Sequence, residues 1–223
     1  MITAAVVQSA ITSDHGSIGA VLEAHAANVG CNPEEVFGDA GYVSAPALRE
    51  ASAQGYELTG PVAAPPHSGA RFGSDSFAVD IPGRLAVCPA GIASSECSRI
   101  AESGRNAVYY YFAWPRAACA SCPLREKCLS KKKRTLFRTL QVGDGHMSVQ
   151  ERRNLCKTPE YRIRMKRRSG IEGSHSELKR GYGLRRCRYR GLPKTDVQNQ
   201  FTSAACNLRR WSARLCWLAR KNG

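Results

Sequence analysis

The first sixty residues alternate short apolar runs with helical patterns, and that order restricts the possible fold more than any other feature. Ile2–Gln8 (ITAAVVQ) is short and holds β-branched residues, so it reads as a strand. Ser13-Asp14 offers a helix cap ahead of Ile18, Val21, Leu22 and Val29, which suit one broad face. Val36-Phe37 is a second short strand, closed by Gly38-Asp39. Ser44 and Pro46 then open a helix to about Gln54, because proline is tolerated in a first turn. Tyr56–Val62 completes a β-α-β-α-β order, which predicts an α/β sheet with parallel members.

The pattern breaks around Pro61, Pro65 and Pro66. A cysteine- and aromatic-rich segment follows from Cys88 to Cys128 and leads into the basic run Lys131–Arg134. From about Met147 the chain reads helical. Its last stretch repeats Val197, Phe201, Ala204, Leu208, Trp211, Leu215 and Leu218 at steps of three or four, with Thr195 as the expected cap. The expected regions are therefore 1–62, 63–146 and 147–223.

Charge is divided unevenly along this order. Residues 1–113 hold 5 Lys and Arg against 11 Asp and Glu, a net of −6. Residues 114–223 hold 28 against 7, a net of +21, which gives the chain its +15. Arginine dominates the second half, and its planar fork suits phosphate better than lysine does. A polyanion, with DNA first among them, is the partner this asymmetry suggests; a solvated basic surface is the plainer reading.

No run of about 18 apolar residues is present to span a bilayer. Met1–Gln8 carries no Lys or Arg ahead of its apolar stretch, as an export signal would. A cytoplasmic location is the resulting expectation. Ten cysteines in such a chain point to metal ligation or buried thiols rather than a disulfide framework.

Two carboxylates stand where chemistry is expected. Asp39 follows a short strand, and strand ends in open α/β sheets face the ligand crevice. An Asp before Ala-Gly is also a common turn former. Glu172 lies in a run that reads helical from about Glu160. At about 100° per residue, Arg168, Glu172, His175 and Lys179 fall within about 60° of one another, on one narrow stripe. An acid between two permanent cations suits phosphate chemistry, since the acid holds a divalent ion while the cations neutralise the backbone. The plainer reading is an Arg168–Glu172 pair on a solvated helix. Gly170 and Gly173 weaken that helix but would let a DNA backbone approach closely.

The block Arg168-x3-Glu172-x6-Lys179 resembles the arginine-glutamate-lysine signature of bacterial insertion-sequence transposases of the DDE type. Their pattern places a Tyr three residues before the Arg, where this chain has Met165. FGDAGYVS resembles the block carrying the second catalytic Asp, and Asp39 is the matching residue. GLRRCRYRGLPK, followed by Asn207-Leu208-Arg209-Arg210, resembles the end of that domain. CPAG and CASCPLREKC are similar to an insertion found in one cysteine-containing branch.

The resemblance implies a partial RNase H-like α/β core in 1–62, a cysteine-rich insertion in 63–146 and a helical, basic remainder carrying the catalytic Glu. It further implies Mg²⁺ or Mn²⁺ held by Asp39 and Glu172, with DNA cleavage and strand transfer as the activity. Transposon ends and target DNA would be the partners, and a homodimer on paired ends the assembly. The third acid is expected on a central strand upstream of Asp39. Asp14 lies at a predicted cap instead, so the chain reads as N-terminally truncated, with turnover impaired and a strand edge unpaired. The alternative is a DNA-binding remnant without catalysis.

Cys119-x2-Cys122-x5-Cys128, with Cys88 upstream, has the makings of a four-thiolate Zn²⁺ site, and Cys97 is a substitute for Cys88. Reduced structural thiols are the competing reading. Cysteines 31, 156, 187, 206 and 216 read as core or incidental. Arg185, Arg186, Arg188 and Arg190 are expected to contact the DNA backbone without sequence preference.

Overall fold

The computed structural model describes residues 1–9, 11, 16–64, 71–102, 104, 107–129 and 136–222. Helix and sheet are both present, in two units: Met1–Pro61 with Thr158–Gly223, and Val62–Lys157. Ser13, Asp14, Pro65, Pro66 and the run Lys131–Arg134 lie outside the described residues. Among the described residues no helix is long and apolar enough to cross a membrane.

In the first unit, α1 (Ser17–Val29) leads to β1 (Glu35–Phe37), α2 (Ala45–Gln54) and β2 (Glu57–Thr59). The two strands pair in parallel, with Glu35, Val36 and Phe37 opposite Glu57, Leu58 and Thr59. The start of α2 follows its sequence signals closely. The Ser44 hydroxyl accepts from the Ala47 amide at 3.4 Å, Pro46 occupies the first turn, and Gly55 ends the helix at a φ of 78°.

The expected first strand does not form. Residues 2–8 carry no regular structure, and their backbone is met by side chains instead. Ile2 donates to Asn207 Oδ1 at 2.7 Å and accepts from its Nδ2 at 2.6 Å. Ala5 accepts from Gln200, and Thr3 accepts from Asn28. β propensity describes a fit to a pleated surface, and among the described residues no strand lies alongside this segment.

The rest of this unit is helical: α6 (Pro159–Met165), a 3₁₀ turn (Lys166–Arg168), α7 (Ser169–Gly181) and α8 (Leu192–Asn222). Thr158 caps α6 by accepting from Tyr161 N. Thr195 is not the cap of α8, which begins at Leu192; its hydroxyl instead donates to Gly191 O from inside the first turn. The apolar repeat does not mark the covered face. Phe201 and Leu208 are 74% and 63% exposed, whereas Thr202 and Cys206 are buried.

Like charges meet at Glu35 and Glu57, which are register partners. The Arg164 guanidinium bridges them, reaching Glu35 Oε1 at 2.6 Å and Glu57 Oε1 at 2.8 Å. Burial pushes the Glu35 carboxyl up, but the Thr59 hydroxyl and Arg164 together hold it below its usual range. Arg210 joins α8 to α7 through Glu177 Oε2 at 2.7 Å and Ser174 Oγ at 2.9 Å.

The second unit is built on an antiparallel sheet of order β5 (Glu96–Glu102), β6 (Ala107–Ala113), β7 (Thr139–Gly143). A hairpin of β3 (Ala78–Asp80) and β4 (Leu85–Val87) precedes it, and α3 (Arg116–Ala120), α4 (Arg125–Cys128) and α5 (His146–Leu155) complete it. Phe77, Ala86, Phe112, Trp114, Leu140 and Val142 form its buried cluster. Trp114 meets Phe77 at 5.2 Å between ring centroids and donates its indole N–H to Ile92 O at 2.8 Å.

Candidate active site

Gly38 and Gly60 set the position of Asp39. The Gly38 amide donates to Thr59 O at 2.9 Å, extending the β1–β2 pairing by one bond. A Cβ on Gly60 would stand 2.2 Å from Gly38 O, so only glycine allows the two strand ends to come this close. The chain then turns. Tyr42 N and Val43 N donate to Asp39 O, and Gly41 N donates to Asp39 Oδ1 at 2.8 Å. Asp39 is thus a turn former as well as an exposed strand-end carboxylate; its Oδ2 has no partner among the described residues.

Tyr161 braces the same strand end from α6. Its buried hydroxyl accepts from Gly60 N at 2.9 Å and donates to Gly60 O at 3.2 Å. Nothing in the spacing around Arg168 pointed to this residue, because its partner is 101 positions away.

Four residues of the predicted stripe (Arg168, Glu172, His175 and Lys179) line one open cavity of about 620 Å³ together with Asp39. Arg185 joins them, as do Tyr42, Ser176 and Arg180, which the sequence did not single out. Arg180 lies about 100° round the helix from Lys179, so stripe arithmetic excludes it. The length of an arginine side chain offsets that angle. Arg168 Nη2 stands 3.8 Å from Glu172, an i, i+4 pair in which the Glu172 side chain remains 74% exposed. At that distance and exposure the pair contributes little, so the carboxylate stays accessible. Among the described residues, a Cβ on Gly170 or Gly173 would meet nothing within 4 Å, so packing there does not require either glycine.

The other arginines do not share this cavity. Arg188 lines a second one with Tyr189, Lys194 and Phe201, and Arg186 and Arg190 are exposed. Gln198 of α8 pins this loop, accepting from Arg188 N and donating to Arg186 O.

Cys88, Cys119, Cys122 and Cys128 line one small cavity in the second unit; Cys97 packs on the buried cluster, as Cys88, Cys119 and Cys128 do, but does not line the cavity. Burial pushes the Cys128 thiol up. Cys206 is buried, Cys31, Cys187 and Cys216 are exposed, and Cys156 is between.

Among the described residues, no group of three or more His, Cys, Asp or Glu side chains is placed to hold a metal ion as it stands. Mg²⁺ does not require one, since it is commonly held by one or two carboxylates together with substrate phosphates and water. Asp39 and Glu172 fit that need: both are oxygen donors, both are exposed, and both line one cavity.

A family model described as "Transposase DDE domain" matches residues 87–212. That span includes Arg168, Glu172, Lys179 and the four clustered cysteines, and it begins after Asp39. No curated protein and no solved structure matches the chain.

Proposed function

The chain belongs to the transposase DDE-domain family, and from that premise we propose that the Asp39–Glu172 cavity is where a divalent metal ion and a DNA phosphodiester meet. One observation carries this. Two carboxylates 133 positions apart share a cavity bordered by Arg168, Lys179, Arg180 and Arg185. The family acts in DNA transposition; the finer reading is cleavage and strand transfer at the ends of an insertion sequence, on an RNase H-like core.

Each residue then has a task. Asp39 and Glu172 hold the ion, Mg²⁺ or Mn²⁺, which when bound polarises a phosphoryl oxygen and lowers the pKa of a bound water. Gly41 N donates to Asp39 Oδ1, which leaves Oδ2 for the ion. Arg168, Lys179 and Arg185 neutralise the phosphates on either side of the scissile bond. Gly170 and Gly173 leave room for the DNA backbone on α7.

Nicking and strand-transfer assays with Mn²⁺ and Mg²⁺, on DNA carrying the element's ends, test the assignment. Activity that both Asp39→Ala and Glu172→Ala abolish supports it. Activity that neither changes overturns it. Binding without cleavage supports the second reading, a DNA-binding chain without turnover, which is favoured by the cavity offering two carboxylates rather than three.

A further inference from the structure

Ten cysteines are spread through the chain, yet four of them converge. Cys88 follows β4, Cys119 lies in α3, Cys122 in the turn after it, and Cys128 ends α4. All four line a cavity of about 20 Å³, with Ile92, Trp114, Ala118 and Leu129 as apolar walls. That volume is about one probe sphere, room for a single small occupant.

Two donors from Arg138 stand beside the sulfurs. Arg138 N donates to Cys119 Sγ at 3.5 Å, a backbone N–H to sulfur bond of the kind that supports metal-bound sulfur. The Arg138 guanidinium donates to Cys128 O at 3.2 Å and brings a fixed positive charge beside the cluster. Cys88 sits in a tight turn, in which Gly91 N donates to Cys88 O at 2.8 Å and Gly91 has a φ of 78°.

The local fold also calls for a tie. Helices α3 and α4 have five and four residues, too short to hold their form alone. Cys119 of α3 and Cys128 of α4 line this cavity and also pack on the buried apolar cluster.

We propose that Cys88, Cys119, Cys122 and Cys128 bind one Zn²⁺ that ties α3 and α4 to the end of β4. The four sulfurs are not closed around a common point in this structure. Each already lines the cavity, and a turn about χ1 moves Sγ by up to about 3 Å. Tetrahedral tetrathiolate coordination then excludes water, which gives a structural ion rather than a catalytic one. The site shares no ligand with Asp39 or Glu172.

The full chain, purified without chelator, is assayed for bound metal and reconstituted with Co²⁺. About one zinc per chain is expected, with Co²⁺ giving thiolate charge-transfer bands and tetrahedral visible bands. Cys88→Ser and Cys122→Ser should each lose the metal, while Cys97→Ser, Cys156→Ser and Asp39→Asn keep it. Zinc near zero in the wild-type chain overturns the proposal, as does a Co²⁺ spectrum of octahedral form. Loss in Cys97→Ser equal to that in Cys88→Ser overturns the ligand set. Where a serine variant fails to fold, the charge-transfer intensity of the wild-type Co²⁺ form still counts the sulfur ligands, and fewer than three contradicts the site.

Discussion

Each of the two units combines apolar packing and polar bonds, in a different arrangement. In Val62–Lys157, six buried apolar residues form one cluster beneath a three-stranded sheet. In Met1–Pro61 with Thr158–Gly223, the strands are three residues long, and buried apolar residues such as Val43, Leu58 and Leu178 are supplemented by polar staples between distant segments. Arg164 spans Glu35 and Glu57, Arg210 spans Glu177 and Ser174, and Tyr161 grips Gly60. The carboxylates assigned to chemistry are in the stapled unit, the thiols in the packed one. Apolar packing tolerates salt, whereas ion pairs and charge-assisted hydrogen bonds fix a side chain but weaken as salt rises.

The largest expected effect strikes the packed unit. Phe112→Ala removes a fully buried ring and should cost about 3–5 kcal/mol. Hydrogen exchange should then rise across β5–β7 and remain unchanged at β1–β2; equal loss in both units would break the contrast. In the stapled unit, Gly60→Ala forces a Cβ against Gly38 O and should cost about 1–3 kcal/mol. Exchange at Val36–Asp39 would report it, and an unchanged rate there would remove the glycine argument.

Acid should affect the units in sequence. Burial, with Arg153 adding to it, lowers the His146 pKa below its ordinary 6.5, so the unfolded chain takes up that proton first. Stability of the packed unit therefore falls as pH drops through 6.5, and His146→Gln should abolish that early loss. Glu35 and Glu177 are held below 4.5, Glu177 chiefly by its hydrogen bond from Arg210. Their contribution is complete above 4.5 and is lost as pH falls further, so the stapled unit loosens later. Melting followed by exchange at several pH values would show the order, and a reversed order would contradict it.

The smallest effect is the most pointed. Gly173→Ala meets no protein atom and replaces a poor helix former, so it should stabilise α7 by up to about 1 kcal/mol. If DNA approaches that face, the same change should weaken DNA binding. A gain in both would show that the glycine has no part in DNA contact.

What the sequence revealed depended on how local the cause was. Helix α2 was legible because Ser44, Pro46 and Gly55 act within a few residues of it. The stripe through Glu172, His175 and Lys179 was legible because the geometry of α7 places those side chains together, and Arg168 joins them from the 3₁₀ turn just ahead of the helix. Ile2–Gln8 was misread, since its backbone is satisfied by Asn207 and Gln200, about two hundred positions away. Periodicity located α8 but not its covered face, which is decided by what packs against Thr202 and Cys206. Spacing likewise does not reveal that Cys88 lines the cysteine cavity while Cys97 does not, since that depends on tertiary packing.

The proposed chemistry requires Asp39 and Glu172 to form one ion site. Titrating the full chain with Mn²⁺ and following the paramagnetic resonance of the free ion tests this without requiring turnover. Binding should weaken roughly tenfold or more in Asp39→Asn and again in Glu172→Gln, each carboxylate being a direct ligand. Unchanged Mn²⁺ affinity in both variants would contradict it.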